Sequence, residues 1–275
     1  MKGAVMNIVE KDLTFTWPEW KLKSFALSYD DANIADRKLV GIFNRYGLKG
    51  TFHIPSAWLI TKPENRISES EIMELYKGHE ISGHGANHLY LAKIAENEVT
   101  AEIETDIEGW KRIAGIDITG YSYPYGNYSE SVMDNLRRHG LIYSRTVGTA
   151  ENFDLPENFL EWHPNAHHNG NIAELGRKYL DYRADRMSVF LVWGHSYEFN
   201  RQDNWDIIES FCSQMAGRDD IFYASMGEIA SYAEAVKKMN ISEDCRYLKN
   251  NSDMTIFFVC RDKKIRLEAG DVFEK

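Results

Sequence analysis

The chain has 275 residues, of which 43% are hydrophobic and 27% are charged. These proportions are typical of a globular protein rather than a disordered or membrane-spanning chain, and the length suits one large α/β domain or two small ones. The net charge of -10 disfavours nucleic acid and anionic membranes as partners, because phosphate groups are bound by clustered Lys and Arg, so a neutral or cationic substrate is easier to accommodate.

Short β-type runs alternate with amphipathic helical patterns along most of the chain. The predicted strands are residues 24–29, 50–54, 80–82, 120–123, 141–146, 159–162, 188–193 and 221–224. The predicted helices are residues 34–46, 69–77, 96–114, 129–139, 172–183, 205–216 and 227–238. This alternation predicts a parallel sheet, and seven or eight such units favour a (β/α) barrel over the alternative, an open doubly wound sheet.

The alternation stops after Met239, where three short runs at 245–248, 254–260 and 264–267 are separated by turn-forming residues. We therefore predict a barrel domain over residues 1–238 and a small C-terminal β-extension over residues 239–275 that packs on the barrel. The extension is also a candidate contact surface for an oligomer, because small sheets have exposed edges.

The cysteines and the N-terminus bear on the cellular compartment. Cys212, Cys245 and Cys260 are far apart and odd in number, which indicates neither a disulfide framework nor a zinc ribbon, so we expect buried thiols. The first 20 residues contain no apolar core of a signal peptide, and no later run approaches a membrane span. We expect a cytoplasmic protein that does not contact a membrane.

Two acidic residues, Asp30 and Asp31, follow the first predicted strand directly. In a parallel barrel the carboxyl ends of the strands meet at one catalytic face, so both carboxylates are well placed for chemistry. Such a pair suits metal-assisted hydrolysis, in which one carboxylate binds the metal ion and its neighbour takes a proton from water. The alternative is that Asp31 only caps the helix predicted to begin at Ile34.

Two histidines, His84 and His88, follow the strand predicted at 80–82. Histidines four residues apart in a helical turn lie on one face and can share a metal ion, although an isolated pair is equally compatible with ordinary hydrogen-bonded histidines. A third histidine, His195, ends the most apolar strand. Its near-neutral pKa would suit donation of a proton to a leaving amine, and the alternative is a structural residue.

These segments, taken in order, resemble the NodB-homology polysaccharide deacetylases of carbohydrate esterase family 4. The segments that carry the resemblance are Tyr29-Asp30-Asp31, Leu48-Lys-Gly-Thr-Phe52, His84-xxx-His88, Tyr123-Pro124-Tyr125-Gly126 and Leu191-Val-Trp-Gly-His195, and it extends over roughly residues 24–232. The resemblance implies a distorted (β/α)7-type barrel that holds one divalent metal ion.

The resemblance also implies roles for individual residues. Asp31, His84 and His88 are the implied metal ligands. Asp30 is the implied general base and His195 the implied general acid. Tyr125 corresponds to the residue whose backbone N–H helps to hold the oxyanion and whose ring lines the substrate groove, and we expect Trp193 to bind substrate as well.

Three positions depart from the family pattern. The family often has an arginine two residues before the proline of its third motif, and Ser122 stands there; Arg145, at the end of the next predicted strand, either reaches Asp30 instead or lies at the surface. Ala32 replaces a frequent glycine. The fourth motif, an Asp-Trp signature, is replaced by Glu161-Trp-His-Pro-Asn-Ala-His167-His168, from which we select His168 as a site residue. Arg145 and His168 are grouped with the substrate-binding candidates.

We therefore predict a metal-dependent hydrolase of linear amides that removes N-acetyl groups from an amino sugar in a carbohydrate. Zinc is the first choice of metal, and cobalt, nickel or manganese also suit the ligand set. The alternatives are a related amidohydrolase that acts on a small non-sugar amide, and an inert carbohydrate-binding module. Retention of both Asp30 and His195 favours an enzyme, since a binding module needs neither a base nor an acid.

Overall fold

The computed structural model describes residues 13–243 and 246–274. The strands are β1 (Leu13–Thr16), β2 (Lys23–Asp30), β3 (Gly50–Ile54), β4 (Glu80–Gly83), β5 (Gly120–Ser122), β6 (Tyr143–Arg145), β7 (Ala166–His167), β8 (Ser188–Gly194), β9 (Ile221–Tyr223), β10 (Met239–Ile241), β11 (Tyr247–Asn250), β12 (Ile256–Cys260), β13 (Lys263–Leu267) and β14 (Val272–Glu274). The helices are α1 (Asp36–Tyr46), α2 (Trp58–Thr61), α3 (Glu69–Leu75), α4 (Glu96–Ala114), α5 (Glu130–Arg138), α6 (Ile172–Asp181), α7 (Ser196–Gln202), α8 (Trp205–Met215) and α9 (Met226–Lys237).

The central sheet is parallel and curled, with strand order β6-β5-β4-β3-β2-β8-β7. Strand β2 lies between β3 and β8, and all eight of its residues are buried. Strand β8 pairs along one edge of β2, while β9 pairs with the first half of the other edge and β3 with the second half. The prediction of a distorted (β/α)7-type barrel is confirmed.

The core consists of two clusters of buried side chains. The larger one fills the space between the central sheet and its surrounding helices, with members such as Leu27, Phe52 and Phe190. The second lies around α9, whose apolar side chains pack with Trp17 and Phe258. This burial fixes the directions of the strands, and therefore the positions of the side chains that leave their carboxyl ends.

The segment after Met239 folds into antiparallel strands, as its turn residues indicate, but it does not do so alone. Strand β1 joins β12 and β13 in one three-stranded sheet, and β10, β11 and β14 form a second. The N-terminal strand β1 is thus paired with residues more than 240 positions away. The division into domains at residue 239 stays a prediction, and Cys245 lies outside the described residues, as do residues 1–12.

One predicted strand is wrong. Residues 159–162 do not form a strand: a 3-10 helix covers Phe159–Glu161, and the Asn158 side chain accepts a hydrogen bond from the Leu160 N–H at its start. The strand at this place in the sheet is β7, which pairs with β8.

Of the residues that the structure describes, no helix is long and apolar enough to cross a membrane.

Candidate active site

The predicted site residues gather at the carboxyl edge of the central sheet. Asp30 is the last residue of β2, His84 follows β4, Arg145 ends β6 and His195 follows β8. Parallel strands deliver their C-terminal residues to the same edge, which explains why residues so distant in sequence meet.

The carboxylate of Asp31 and the imidazoles of His84 and His88 converge on one point. The Asp31 Oδ1 atom lies 4.0 Å from His84 Nε2 and 3.9 Å from His88 Nε2. This oxygen is buried and has no hydrogen-bond partner among the described residues. Two imidazole nitrogens and a carboxylate oxygen are a donor set that divalent transition metals accept, and the three atoms leave room for one ion between them.

The protonation states of the two histidines suit metal binding. His84 Nδ1 is 2.8 Å from the Ser122 carbonyl oxygen. Because a carbonyl only accepts hydrogen bonds, Nδ1 carries the proton and Nε2 presents its lone pair towards Asp31. Burial lowers the pKa of His84, and burial together with the adjacent His84 lowers the pKa of His88 to about 3. Both rings are therefore neutral at pH 7.

His84 and His88 lie on a loop and not in the helical turn that the sequence suggested. Helix α4 holds this loop through two buried carboxylates one turn apart. Asp106 accepts hydrogen bonds from the backbone N–H groups of Ser56 and His84, both at 3.0 Å. Glu102 accepts one from the Asn87 backbone at 2.6 Å and one from its side chain at 2.8 Å. The ends of β3 and β4 are thus tied to one helix.

Four site residues have left-handed backbone conformations. Positive φ angles occur at Asp31 (81°), Ala32 (47°), His88 (60°) and Tyr125 (58°). Side chains with a Cβ atom rarely adopt this conformation, which persists only where the surrounding structure enforces it. The departure from the family pattern at Ala32 is therefore physically meaningful, since Ala32 occupies a conformation that glycine adopts at less cost.

Asp30 is paired with Arg145 inside the protein. The guanidinium Nη2 contacts Asp30 Oδ2, Nε donates to Ser28 Oγ at 2.9 Å, and Nη1 donates to the Thr146 carbonyl at 3.1 Å. Arg145 is directly opposite Ser122 across the β5–β6 pair. Burial opposes ionisation of Asp30, but Arg145 and the nearby histidines lower its pKa well below the ordinary value. The arginine missing from β5 is thus supplied by the neighbouring strand.

His195 is held by Glu198, a residue that the sequence analysis missed. Its Nδ1–H donates to Glu198 Oε1 at 2.8 Å, and its Nε2 atom lies 3.9 Å from Asp30 Oδ2. Burial alone would lower the pKa of His195, but Glu198, together with Asp30 and Asp31, raises it above the ordinary value. His195 is thus oriented and favoured in its protonated form.

His168 completes the support of Glu198. The other carboxylate oxygen of Glu198 lies 3.0 Å from His168 Nε2 and 3.3 Å from His167 Nε2, although the His168 ring is not aligned for a hydrogen bond. His168 is fully buried, and its ring stacks between Tyr29 and Phe199. Its burial favours a supporting role over direct contact with substrate, and the same holds for Arg145, which is 1% exposed.

Aromatic rings surround the mouth of the site. Tyr125 is 53% exposed and stacks on Tyr90 with ring centroids 3.8 Å apart, and its ring lies nearly perpendicular to that of His88. Trp58 lies on another side of His88, 4.7 Å away. Trp193 is half-buried, and its ring contacts the guanidinium of Arg145. Exposed flat rings of this kind can stack on sugars.

The chain is similar in part to one known protein family. A family model described as polysaccharide deacetylase matches residues 19–144, which include Asp30, Asp31, His84, His88 and Tyr125. Arg145, His195 and Glu198 lie beyond the matched segment. No curated protein sequence matches the chain.

Solved structures with the same fold include several deacetylases. A polysaccharide deacetylase from Mycobacterium smegmatis, described as putative, has a TM-score of 0.63 at 19% identity and covers 82% of this chain and 94% of its own. A family 4 carbohydrate esterase from Streptomyces lividans, in complex with acetate, has a TM-score of 0.50 at 13% identity, with coverage of 72% and 90%. A family 4 pseudoenzyme from Bacillus anthracis has a TM-score of 0.50 at 11% identity, with coverage of 79% and 68%. At these identities the likeness shows the fold alone.

Proposed function

We propose that this chain, which resembles the NodB-homology polysaccharide deacetylases in its matched segment and in its fold, is a metal-dependent hydrolase that removes N-acetyl groups from an amino sugar in a carbohydrate. One observation carries the proposal. The Asp30 carboxylate lies 3.8 Å from His84 Nε2 and 3.9 Å from His195 Nε2, so a base, an acid and a metal-ligand set adjoin one another.

Asp31, His84 and His88 would hold the metal ion. Their neutral imidazoles and the buried Asp31 oxygen without a hydrogen-bond partner fit a divalent cation, with zinc as first choice and cobalt, nickel or manganese as alternatives. A cation bound there would polarise the amide carbonyl and lower the pKa of a water molecule towards about 7.

Asp30 is the proposed general base. The guanidinium of Arg145 keeps its carboxylate ionised, and an ionised carboxylate can accept the proton of an attacking water. Arg145 itself is buried and acts by positioning Asp30.

His195 is the proposed general acid. Amide nitrogen leaves only after protonation, so the reaction needs a donor on the leaving-group side. Glu198 holds the imidazole through Nδ1, which directs the protonated Nε2 into the site. His168, whose Nε2 atom lies 3.0 Å from Glu198 Oε2, supports the position of Glu198.

Tyr125 and Trp193 are the proposed substrate contacts. The backbone N–H of Tyr125 would donate to the developing oxyanion, as the resemblance to the family implies. Its exposed ring, with that of Tyr90, supports binding of a sugar over binding of a small amide, which would need no exposed aromatic platform.

The substrate can be tested with metal-reconstituted protein and three classes of amide. We expect acetate release from N-acetylglucosamine oligomers at a rate well above that from the monosaccharide or from small non-sugar amides. Acetate from the small amides alone would support the amidohydrolase alternative. No acetate from any class, with metal bound, would support the inert module and contradict the proposal.

A further test separates acid catalysis from metal binding. His195→Ala should retain metal, and it should slow amide hydrolysis far more than hydrolysis of activated aryl esters, because a good leaving group departs without protonation. Equal loss on amides and aryl esters would contradict the assignment of His195 as the acid.

A further inference from the structure

We propose that the substrate of this site is an acidic N-acetylated glycan, one whose sugar units carry carboxylate or phosphate groups. The proposal rests on the proposed function, because it names the substrate class of the same site. It is carried by four cationic side chains that cap aromatic rings around the mouth. We call this set the cationic rim, and its members are Lys62, Arg66, Lys93 and Arg201.

Two members of the cationic rim share one ring beside the metal ligands. The Lys62 ammonium lies 4.0 Å and the Arg66 guanidinium 4.9 Å from the ring centroid of Trp58. Trp58 in turn lies 4.7 Å from the ring of His88. The Trp58 ring therefore contacts both cations and also His88, a proposed metal ligand, so two positive charges lie close to the proposed metal site.

The position of Arg66 is fixed by the backbone that follows the catalytic carboxylates. The Ile34 N–H donates to the Asn65 carbonyl at 3.0 Å, and the Ile67 N–H donates to the Ala32 carbonyl at 2.8 Å. The segment that carries Arg66 is thus hydrogen-bonded to the turn directly after Asp31. The two cations belong to the edge of the site and are not a remote surface feature.

The other two members lie on different sides of the mouth. Lys93 Nζ is 4.5 Å from the ring of Tyr90, which stacks on Tyr125. The Arg201 guanidinium is 4.4 Å from the ring of Tyr197, which packs against His195. Cations therefore surround the mouth on the sides of both the metal ligands and the proposed acid.

The cationic rim has no carboxylate partner among residues 13–243 and 246–274. None of its four members takes part in an ion pair with a described residue, although the chain as a whole carries a net charge of -10. Glu64, on the same loop as Lys62 and Arg66, is exposed and pairs with neither.

The acidic residues inside the site do not cancel the rim. Asp30 is neutralised by Arg145, Glu198 faces three histidines, and Asp31 is the proposed ligand of a cation. The mouth is therefore locally positive on an acidic protein, and such a field attracts an anionic substrate. The overall charge, which favours a neutral or cationic substrate, is a poor guide to this local field.

The test compares three sets of N-acetylated oligomers of equal length: neutral N-acetylglucosamine, alternating N-acetylglucosamine and glucuronic acid, and phosphodiester-linked N-acetylglucosamine. We compare the wild type with Lys62→Ala/Lys93→Ala, with the charge-conserving Lys62→Arg/Lys93→Arg, and with Lys264→Ala. Lys264, on β13 of the β-extension, lies 5.2 Å from the ring centroid of Trp20 and provides a matched control away from the site.

For the wild type we expect kcat/KM to be higher for one acidic set than for the neutral set, and the preferred set identifies carboxylate or phosphate as the group recognised. Each removed cation should raise KM for that set about threefold, so Lys62→Ala/Lys93→Ala should lower the acidic-to-neutral ratio about tenfold. The charge-conserving variant should restore most of the ratio, and Lys264→Ala should keep the wild-type ratio. Added salt should weaken the preference.

Binding without turnover keeps this inference separate from the proposed function. In an Asp30→Asn background, isothermal titration calorimetry gives Kd for each set with and without the two lysines. Acetate release with no preference for either acidic set, in both kcat/KM and Kd, overturns the acidic-glycan inference and leaves the proposed function intact. Absence of acetate release, with tighter lysine-dependent binding of an acidic set, upholds the inference and overturns the proposed hydrolysis.

Discussion

Replacement of Arg145 by methionine tests whether this arginine, supplied by the strand next to β5, stabilises the ionised carboxylate of Asp30. Methionine has a similar length but no charge, so Arg145→Met leaves the Asp30 carboxylate buried without its main partner. It also removes the hydrogen bonds to Ser28 Oγ and the Thr146 carbonyl. Loss of one partner of a buried ion pair costs about 3–5 kcal/mol, and each lost hydrogen bond costs about 1 kcal/mol, partly offset by burial of the methionine. We expect a net loss of at least about 3 kcal/mol.

The sign of the pH dependence of stability follows from the pKa of Asp30. The folded-state pKa of Asp30 lies below its unfolded value of about 3.9, so the pair stabilises the wild type above that pH, and this stability is lost as the pH falls through the folded pKa. In Arg145→Met, burial dominates and raises the pKa of Asp30, so the variant gains stability as the pH falls. The difference in the free energy of unfolding between the wild type and Arg145→Met should therefore become smaller as the pH falls.

Urea denaturation of metal-free protein at several pH values measures these differences. The double variant Asp30→Asn/Arg145→Met is the control, since it contains no unpaired charge and should recover most of the lost stability. A loss under about 1 kcal/mol at pH 7 in Arg145→Met, or no recovery in the double variant, would refute the buried pair as the support of Asp30.

Three further predictions concern the surroundings of the site. Glu198→Gln should move the alkaline limb of kcat to lower pH, because loss of the carboxylate that raises the pKa of His195 makes its acid form disappear earlier; an unshifted limb in the pH–rate profile would contradict this. Asp106→Asn should weaken metal binding about 10- to 100-fold by equilibrium dialysis, whereas the exposed control Glu108→Gln on the same helix should bind as the wild type does. Gly194→Ala should lower the free energy of unfolding by about 1–3 kcal/mol, since the added Cβ atom would lie 2.0 Å from the buried ring of His168; an unchanged denaturation midpoint would disprove this packing.

Much of the fold was predictable because the signal is periodic. The 19 residues of α4 repeat apolar positions at helical spacing, and the predicted and observed bounds agree. The 3-10 helix at Phe159–Glu161 was not predictable, because three or four aromatic and apolar residues satisfy a strand pattern equally well. Pairing of β1 with β12 depends on contacts between the two ends of the chain, which local patterns do not encode.

The arrangement of the site was predictable only in part. Placing Asp30 and Arg145 at strand ends follows from the sequence, but the register that sets Arg145 opposite Ser122 depends on how two parallel strands align. Glu198 was missed because α7 has seven residues and no clear apolar repeat. Its separation of three residues from His195 is the signal that could have found it, once a helical turn is assumed there.

The two histidines His84 and His88 meet for a structural reason other than the predicted one. Their spacing of four predicted a shared metal site through a helical turn, yet the convergence arises from a loop with left-handed residues at Gly85 and His88. The carboxylates of α4 that hold this loop are typical of an exposed helix face in the sequence, and only tertiary structure shows that Glu102 and Asp106 are buried.

The central claim is that Asp30 performs the chemistry while Asp31 binds the metal, and one comparison tests it most directly. Bound metal and acetate release from N-acetylglucosamine oligomers are measured for the wild type, Asp30→Asn and Asp31→Ala. We expect Asp30→Asn to retain metal near the wild-type level and to lose most turnover, because an amide cannot accept the proton of water, while Asp31→Ala should lose metal and activity together. Full activity in Asp30→Asn, or wild-type metal affinity in Asp31→Ala, would contradict the account.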